Sequence, residues 1–286
     1  MKITDILNSD KLSLSFEVFP PKTGNNFATV KTATEEIARL NPSYMSVTYG
    51  AGGGTSEYTL QIAKNLKEKG VTTLAHLTCV SSTKNEVHAQ LEKLRAAGIE
   101  NILALRGDIP EDMDKSHLEY HYASELIEEI VKYGGFCIGG ACYPESHPDS
   151  ETSFSDIAYL KRKVKTGCEF LTTQMFFDNN VYYNFLYRLR EADINVPVIA
   201  GIMPVTNSKS IKRICRINNS ALPQRFVRIV DKFGDNPAAM KQAGIAYATE
   251  QIIDLFANGV KAVHVYSMNK PDVAEKIKEN LSEILL

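Results

Sequence analysis

The sequence predicts an α/β fold of the (β/α)8 TIM-barrel class, and three observations carry that reading. Eight short apolar runs rich in β-branched and aromatic residues alternate with helix-patterned stretches along 286 residues. No linker or composition shift divides the alternation, so a single domain over 1–286 fits the length and the count. The first strand is not followed by the G-x-G-x-x-G turn that usually marks an open doubly wound sheet.

A leading helix or arm occupies 1–11. Residues 13–19 form the opening strand, with Ser13, Ser15, Glu17 and Phe19 on one face and Leu14, Phe16 and Val18 on the other. Pro20 and Pro21 end it, because proline donates no ladder hydrogen bond. A helical pattern at 27–40 stops at Asn41-Pro42, and 43–49 is the second strand, leading into the glycine-rich turn 50–54. Thr55 is placed to cap a helix over 57–69 that Gly70 closes. Strand three spans 72–79, helix three 84–97, and strand four 99–106 before the turn at 107–110.

A polar loop at 110–118 precedes a helix at 120–133, and 136–143 is the fifth strand. The helix at 154–166 is closed by Gly167, and 168–177 and 179–192 are the sixth strand and its helix. Strand seven spans 196–203 and stops at Pro204. Helical stretches at 208–217 and 236–258 flank an extra segment at 219–235, so the extra chain lies between strands seven and eight. The eighth strand is 262–268 and a last helix spans 272–285.

Hydrophobic content of 44% and charged content of 23% suit a soluble enzyme with a sizeable core. A formal charge of -2 argues against a general nucleic-acid or anionic-membrane binder. No apolar run approaches the roughly 20 residues that span a bilayer, and the start lacks a signal-peptide core. The five cysteines form no C-x-x-C pair, which fits free thiols in a reducing cytoplasm.

Barrel chemistry gathers where strands run into the following loops. Those positions hold Glu17, Thr48-Tyr49, His76 and Thr78, Arg106-Gly107-Asp108, Tyr143-Pro144-Glu145 with His147, Gln174, Met203, and Tyr266 with Asn269. Burial among apolar neighbours is expected to raise the Glu17 pKa and keep an acid able to give up a proton. Pairing of Arg106 with Glu17 or Asp108 is the structural explanation of the same charges. No strand carries an internal lysine for a Schiff base, and no H-x-H, H-E-x-x-H or G-x-S-x-G occurs. The glycine-rich turn 50–54 could wrap a phosphate or admit a ring, but such loops are common.

Seven stretches in order, SFEVFPPK at 15–22, VTYGAGG at 47–53, AHLTC at 75–79, LALRGD at 103–108, YPESHP at 143–148, LKRKV at 160–164 and TTQMFFD at 172–178, resemble the 5,10-methylenetetrahydrofolate reductase family. The resemblance implies a barrel that binds FAD without a Rossmann fingerprint. It also implies a chain without the C-terminal regulatory domain that binds S-adenosylmethionine in eukaryotic relatives. Glu17 then corresponds to the general acid that protonates N10 of the folate, opening the five-membered ring to an N5 iminium. Asp108 corresponds to an acidic residue near flavin and pterin, and Gln174 to the amide that reads the pterin.

Thr48, Tyr49, Ala51, His76, Arg106 and Gly107 resemble the inner FAD contacts. Tyr122, Ala123, Tyr143, His147, Asp156, Arg162 and Lys163 resemble those that hold the rest of the cofactor. The implied reaction is ping-pong: NADH or NADPH reduces FAD and leaves, then 5,10-methylenetetrahydrofolate takes the hydride and becomes 5-methyltetrahydrofolate. Ile214, Tyr159 and the substrate-side Lys270 depart from the family pattern, which expects an aromatic, a polar residue and an arginine there. Two alternatives stay open: a flavin subunit that needs a partner electron donor, and an unrelated barrel lyase or isomerase acting on a phosphorylated metabolite. The strand ends GIMPVTNSK and YSMNKPD lack the glycine-rich phosphate site the latter would use. Apolar residues on the outer helices suit a homo-oligomer.

Overall fold

The computed structural model describes residues 1–21, 24–49, 56–109 and 118–285. The expected turn 50–54 with Ala51, the Thr55 cap, Lys22 and residues 110–117 of the polar loop lie outside the described residues.

Eight parallel strands close into a barrel: β1 (Ser13–Val18), β2 (Met45–Val47), β3 (Thr73–Thr78), β4 (Asn101–Leu105), β5 (Cys137–Cys142), β6 (Phe170–Thr173), β7 (Val198–Ile202) and β8 (Ala262–Tyr266). The seam is β8 on β1, where Ser15 sits opposite His264 and Glu17 opposite Tyr266. The helices are α1 (Ile3–Leu7), α2 (Phe27–Ala38), α3 (Ser56–Glu68), α4 (Lys84–Ala96), α5 (Ala123–Tyr133), α6 (Ser153–Thr166), α7 (Asn179–Glu191), α8 (Ser208–Ile217), α9 (Gln224–Phe233), α10 (Pro237–Ala257) and α11 (Pro271–Asn280).

Period-two alternation sorts the strands into two cores. Outward residues such as Leu14, Phe16, Val18, Met45, Leu77 and Ile102 pack under the helices. Inward residues at the strand starts, Tyr44, Leu74, Leu103, Phe170 and Ile199, form a second cluster that Ile3 of α1 plugs from below. The plug is tied down by the Ile3 N–H donating to Asn101 Oδ1 at 2.8 Å. Gly139 makes room for this layer, since a Cβ there would come within 2.3 Å of the Phe170 ring. Towards the strand ends the interior becomes polar: Ser15, Glu17, Ser46, His76, Thr172 and His264 are all buried. Burying that many polar groups in one layer is costly unless they bond one another.

Two sequence expectations change. Strand six is shorter than 168–177, because the Met175 N–H bonds the Gln174 side chain instead of a neighbouring strand. Residues 175–177 then leave the barrel, and Met175 and Phe177 join a third cluster with Val205, Ile211, Phe226 and Met240. The extra segment 219–235 contains the amphipathic helix α9, which inserts Phe226 and Val230 into that cluster. Among the described residues no helix is long and apolar enough to cross a membrane.

Candidate active site

Alternation places Glu17 inside the barrel at the C-terminal end of β1, 7% exposed. Its Oε2 atom lies 3.6 Å from His76 Nε2 and 3.8 Å from His264 Nε2. The Ser46 hydroxyl is 3.4 Å from the same oxygen and 2.9 Å from His264 Nε2, and Ser15 Oγ is 2.7 Å from His264 Nδ1. A run of hydrogen bonds thus leads from the carboxyl through Ser46 and His264 to Ser15, which donates to the Val263 carbonyl. Tyr44 stacks flat against the His264 ring at 5.4 Å and fixes its plane.

Burial pushes the Glu17 carboxyl up, as the apolar strand suggested. The His264 ring and the charges of His76 and His264 pull harder in the other direction, so the balance lies below the ordinary carboxylate value. That corrects the expectation of a raised pKa, which took the apolar neighbours on β1 for the whole environment. His76 is itself pushed down to about 4 by burial, with the Glu17 charge opposing. The buried His76 Nε2 has no hydrogen-bond partner among the described residues, and the Thr48 hydroxyl at the end of β2 stands close enough to Glu17 to help lower its pKa.

A second group of side chains lines a cavity of about 220 Å³ beside the ends of β4 and β5. Eight expected cofactor residues meet there: Arg106, Tyr122, Ala123, Tyr143, His147, Asp156, Arg162 and Lys163. Lys163 Nζ donates to the Ala141 carbonyl at 2.7 Å, which holds its charge at the wall. The buried Asp156 accepts from Ser150 Oγ at 2.9 Å and pins the loop between β5 and α6. Tyr143 meets His147 edge to face at 4.6 Å, and burial raises the Tyr143 phenol to about 12. Tyr122 and Tyr159 flank the same cavity while 58% and 59% exposed, an unusual cost for two large rings in one place. A larger cavity of about 340 Å³ opens at the opposite end of the barrel, between α7 and the starts of β7 and β8, away from these groups.

Arg106 does not pair with Glu17 or Asp108, as the structural explanation of the strand-end charges had it. Its guanidinium bonds Asp149 at 2.8 Å, a residue carried to it by the loop after β5. Asp108 is exposed past the end of β4, close enough to Tyr143 for its charge to raise the phenol, and Gly107 beside it is left-handed with φ 88°. A Cβ at Gly107 would stand 3.0 Å from Thr78, so β3 and β4 approach closely there. Tyr49 is half-buried after β2. Gln174 bonds Asn218 at 2.9 Å, and exposed Lys270 bonds Thr206 Oγ1 at 2.6 Å.

Several site residues escaped the sequence reading. Alternation had set Ser15 on the face of Glu17 without giving it a role, and Ser46, two residues before Thr48, could have been placed on the inner face in the same way. Asp149 and Asn218 carried no local signal, because each reaches the site from a loop far along the chain. Among the described residues no group of three or more His, Cys, Asp or Glu side chains is arranged to hold a metal ion.

Comparison with known proteins identifies the family of the chain as a whole. The family profile for methylenetetrahydrofolate reductase matches residues 2–282. The 5,10-methylenetetrahydrofolate reductase of Escherichia coli K12 is 34% identical over 272 residues, covering 95% of this chain and 91% of its own. Methylenetetrahydrofolate reductase (NADH) 1 of Arabidopsis thaliana is 35% identical over 298 residues, covering 99% of this chain; the chain spans 50% of that plant protein. A solved structure of an uncharacterized Clostridium thermocellum protein, described as binding two copies of 5-methyl-5,6,7,8-tetrahydrofolic acid, superposes with a TM-score of 0.66 at 13% identity over 99% of this chain and 100% of its own, a likeness of fold.

Proposed function

The chain belongs to the methylenetetrahydrofolate reductase family, and from that premise we propose that it binds FAD and reduces 5,10-methylenetetrahydrofolate to 5-methyltetrahydrofolate with NADH or NADPH. The observation that carries the reading is the meeting of eight expected cofactor residues around one cavity beside the mouth that holds Glu17. The side chains suit that cofactor. Arg106, Arg162 and Lys163 supply positive charge for phosphates, and Tyr122 and Tyr159 offer flat apolar faces. His76 Nε2 is a buried polar atom with no hydrogen-bond partner among the described residues, and a bound ring system with a polar edge would satisfy it.

Bound there, FAD supplies the hydride chemistry, accepting from nicotinamide and giving to the folate. The chain supplies position and the proton. Glu17 Oε2 faces Ser46 and both histidines, so a proton held on the carboxyl has a fixed address rather than a shared one. His76 is uncharged near neutrality, because its pKa of about 4 lies far below, and its charge then no longer favours the carboxylate. A planar substrate covering the mouth expels water and strengthens the burial that favours the protonated carboxyl. Protonation of N10 by Glu17 opens the ring to the N5 iminium, the electrophile that hydride needs. Gln174 reads the pterin edge, and Lys270 and Asp108 complete the rim.

Anaerobic mixing tests the reading directly. Purified protein should be yellow, bleach with NADH or NADPH alone, and regain colour with 5,10-methylenetetrahydrofolate. A flavin that only a further protein can reduce would favour the partner-dependent reading, and colourless protein that takes up no FAD would overturn both. The five cysteines are buried free thiols, which supports a reducing, cytoplasmic setting.

A further inference from the structure

We infer that Asn218 is a positioning residue for Gln174, fixing which way that amide faces and hence which ligand edge it can read; the inference rests on the folate-reductase reading above. An amide side chain has two orientations, and only its partners choose between them. Here the choice is forced from both ends. The Met175 N–H, which can only donate, gives its hydrogen to Gln174 Oε1 at 2.9 Å. The Ile214 carbonyl, which can only accept, takes a hydrogen from Asn218 Nδ2 at 3.0 Å. Asn218 Oδ1 is thereby left to accept from Gln174 Nε2, at 2.9 Å. Reversing either amide would set donor against donor or oxygen against oxygen at one end of the chain.

Asn218 can enforce this because its own turn is held in place. It caps α8, and its N–H also donates to the Ile214 carbonyl at 3.1 Å. The next residues are anchored to other strand ends: Asn219, left-handed at φ 54°, donates to the Glu145 carbonyl at 3.1 Å. Ser220 Oγ donates to the Met175 carbonyl at 3.1 Å, and the Ala221 N–H to the Glu145 carboxylate at 2.8 Å. The turn is thus fixed against the ends of β5 and β6, and a locked neighbour is what keeps a recognition group in register.

With one bond used on each side, Gln174 retains one N–H and one oxygen lone pair, side by side and in known order. That pair complements a ligand edge with an acceptor next to a donor. The lactam and amidine edge of a pterin has this arrangement, and so has the carboxamide of nicotinamide. An amide free to turn would present the wrong order part of the time, and the mismatched pose leaves polar groups unpaired. Asn218 therefore acts on binding through Gln174, without touching the ligand.

Calorimetric binding of 5-methyltetrahydrofolate to the purified flavoprotein tests this, with urea unfolding midpoints measured alongside. Asn218→Ala should weaken binding about three- to tenfold, the share of one oriented neutral hydrogen bond. Gln174→Ala should cost at least as much, and the double variant should bind no worse than Gln174→Ala alone. Asn218→Leu, of similar volume, should behave as Asn218→Ala. Losses that multiply in the double variant, or wild-type affinity in both Asn218→Ala and Asn218→Leu, would overturn the inference. Parent protein that binds no folate would defeat the folate reading itself, a result visible before any variant is compared.

Discussion

Substituting His76 by glutamine should remove a defined part of the protein's acid sensitivity. An unfolded histidine takes up its proton near pH 6.5. In the fold, burial defers that uptake to about 4. Between those values the unfolded chain binds more protons than the folded one, so stability falls as pH falls. The full window is worth about 3 kcal/mol at 1.36 kcal/mol per unit, and about 2.5 kcal/mol of it is lost by about pH 4.5. Glu17 acts lower on the scale, because its folded value lies below the ordinary 4.5 and its contribution is lost only as pH drops through it. The assay is urea unfolding followed by circular dichroism at steps from about pH 7 to about pH 4.5, for the wild type and His76→Gln. The remaining histidines are common to both proteins and cancel in the difference. The wild type should lose about 2.5 kcal/mol more than the variant over that range. Parallel pH profiles would refute the claim that His76 is folded in as a neutral ring.

Other predictions follow from single contacts. Gly201→Ala puts a Cβ 2.3 Å from the Thr173 carbonyl and 2.5 Å from the Tyr266 hydroxyl, where backbone cannot yield. It should cost about 3 kcal/mol or more by urea unfolding, and an unchanged midpoint would contradict this packing. Lys163→Met removes a fixed positive charge from the cavity wall. It should weaken FAD rebinding to deflavinated protein about tenfold or more, read by flavin fluorescence; equal affinity would move the phosphates elsewhere. Asn269 extends the β1–β8 seam with a side chain, accepting from the Phe19 N–H at 2.8 Å and donating to its carbonyl at 2.9 Å. Asn269→Ala should lower stability by about 2 kcal/mol and slow folate reduction more than flavin reduction, since the end of β1 carries Glu17. Equal slowing of both half-reactions would argue against that link.

What the chain reveals before folding follows the range of the interactions concerned. The barrel was legible because alternation on β1 and the glycine stops at Gly70 and Gly167 are local signals, and all eight strands fall inside the expected ranges. Helix α9 was not assigned, although Pro223 at its start and Gly234 at its end are ordinary boundary residues. Its apolar face makes sense only against residues such as Met175 and Phe177, which lie well before it in sequence. The same limit explains the electrostatics. Glu17 could be placed in an apolar strand, but the histidines that reverse its pKa shift come from β3 and β8, the second more than two hundred residues later. Arg106 likewise finds Asp149 only through the loop after β5.

The central claim is that Glu17 delivers the proton which opens the folate ring. Stopped-flow measurement of the two half-reactions of Glu17→Gln tests it most directly. The glutamine keeps the shape of the site but has no proton of carboxyl acidity, so nicotinamide should still bleach the flavin at close to the wild-type rate. Reoxidation by 5,10-methylenetetrahydrofolate should slow by about a hundred- to ten-thousandfold, the usual worth of a general acid. Equal losses in both half-reactions, or reoxidation at the wild-type rate, would contradict the assignment.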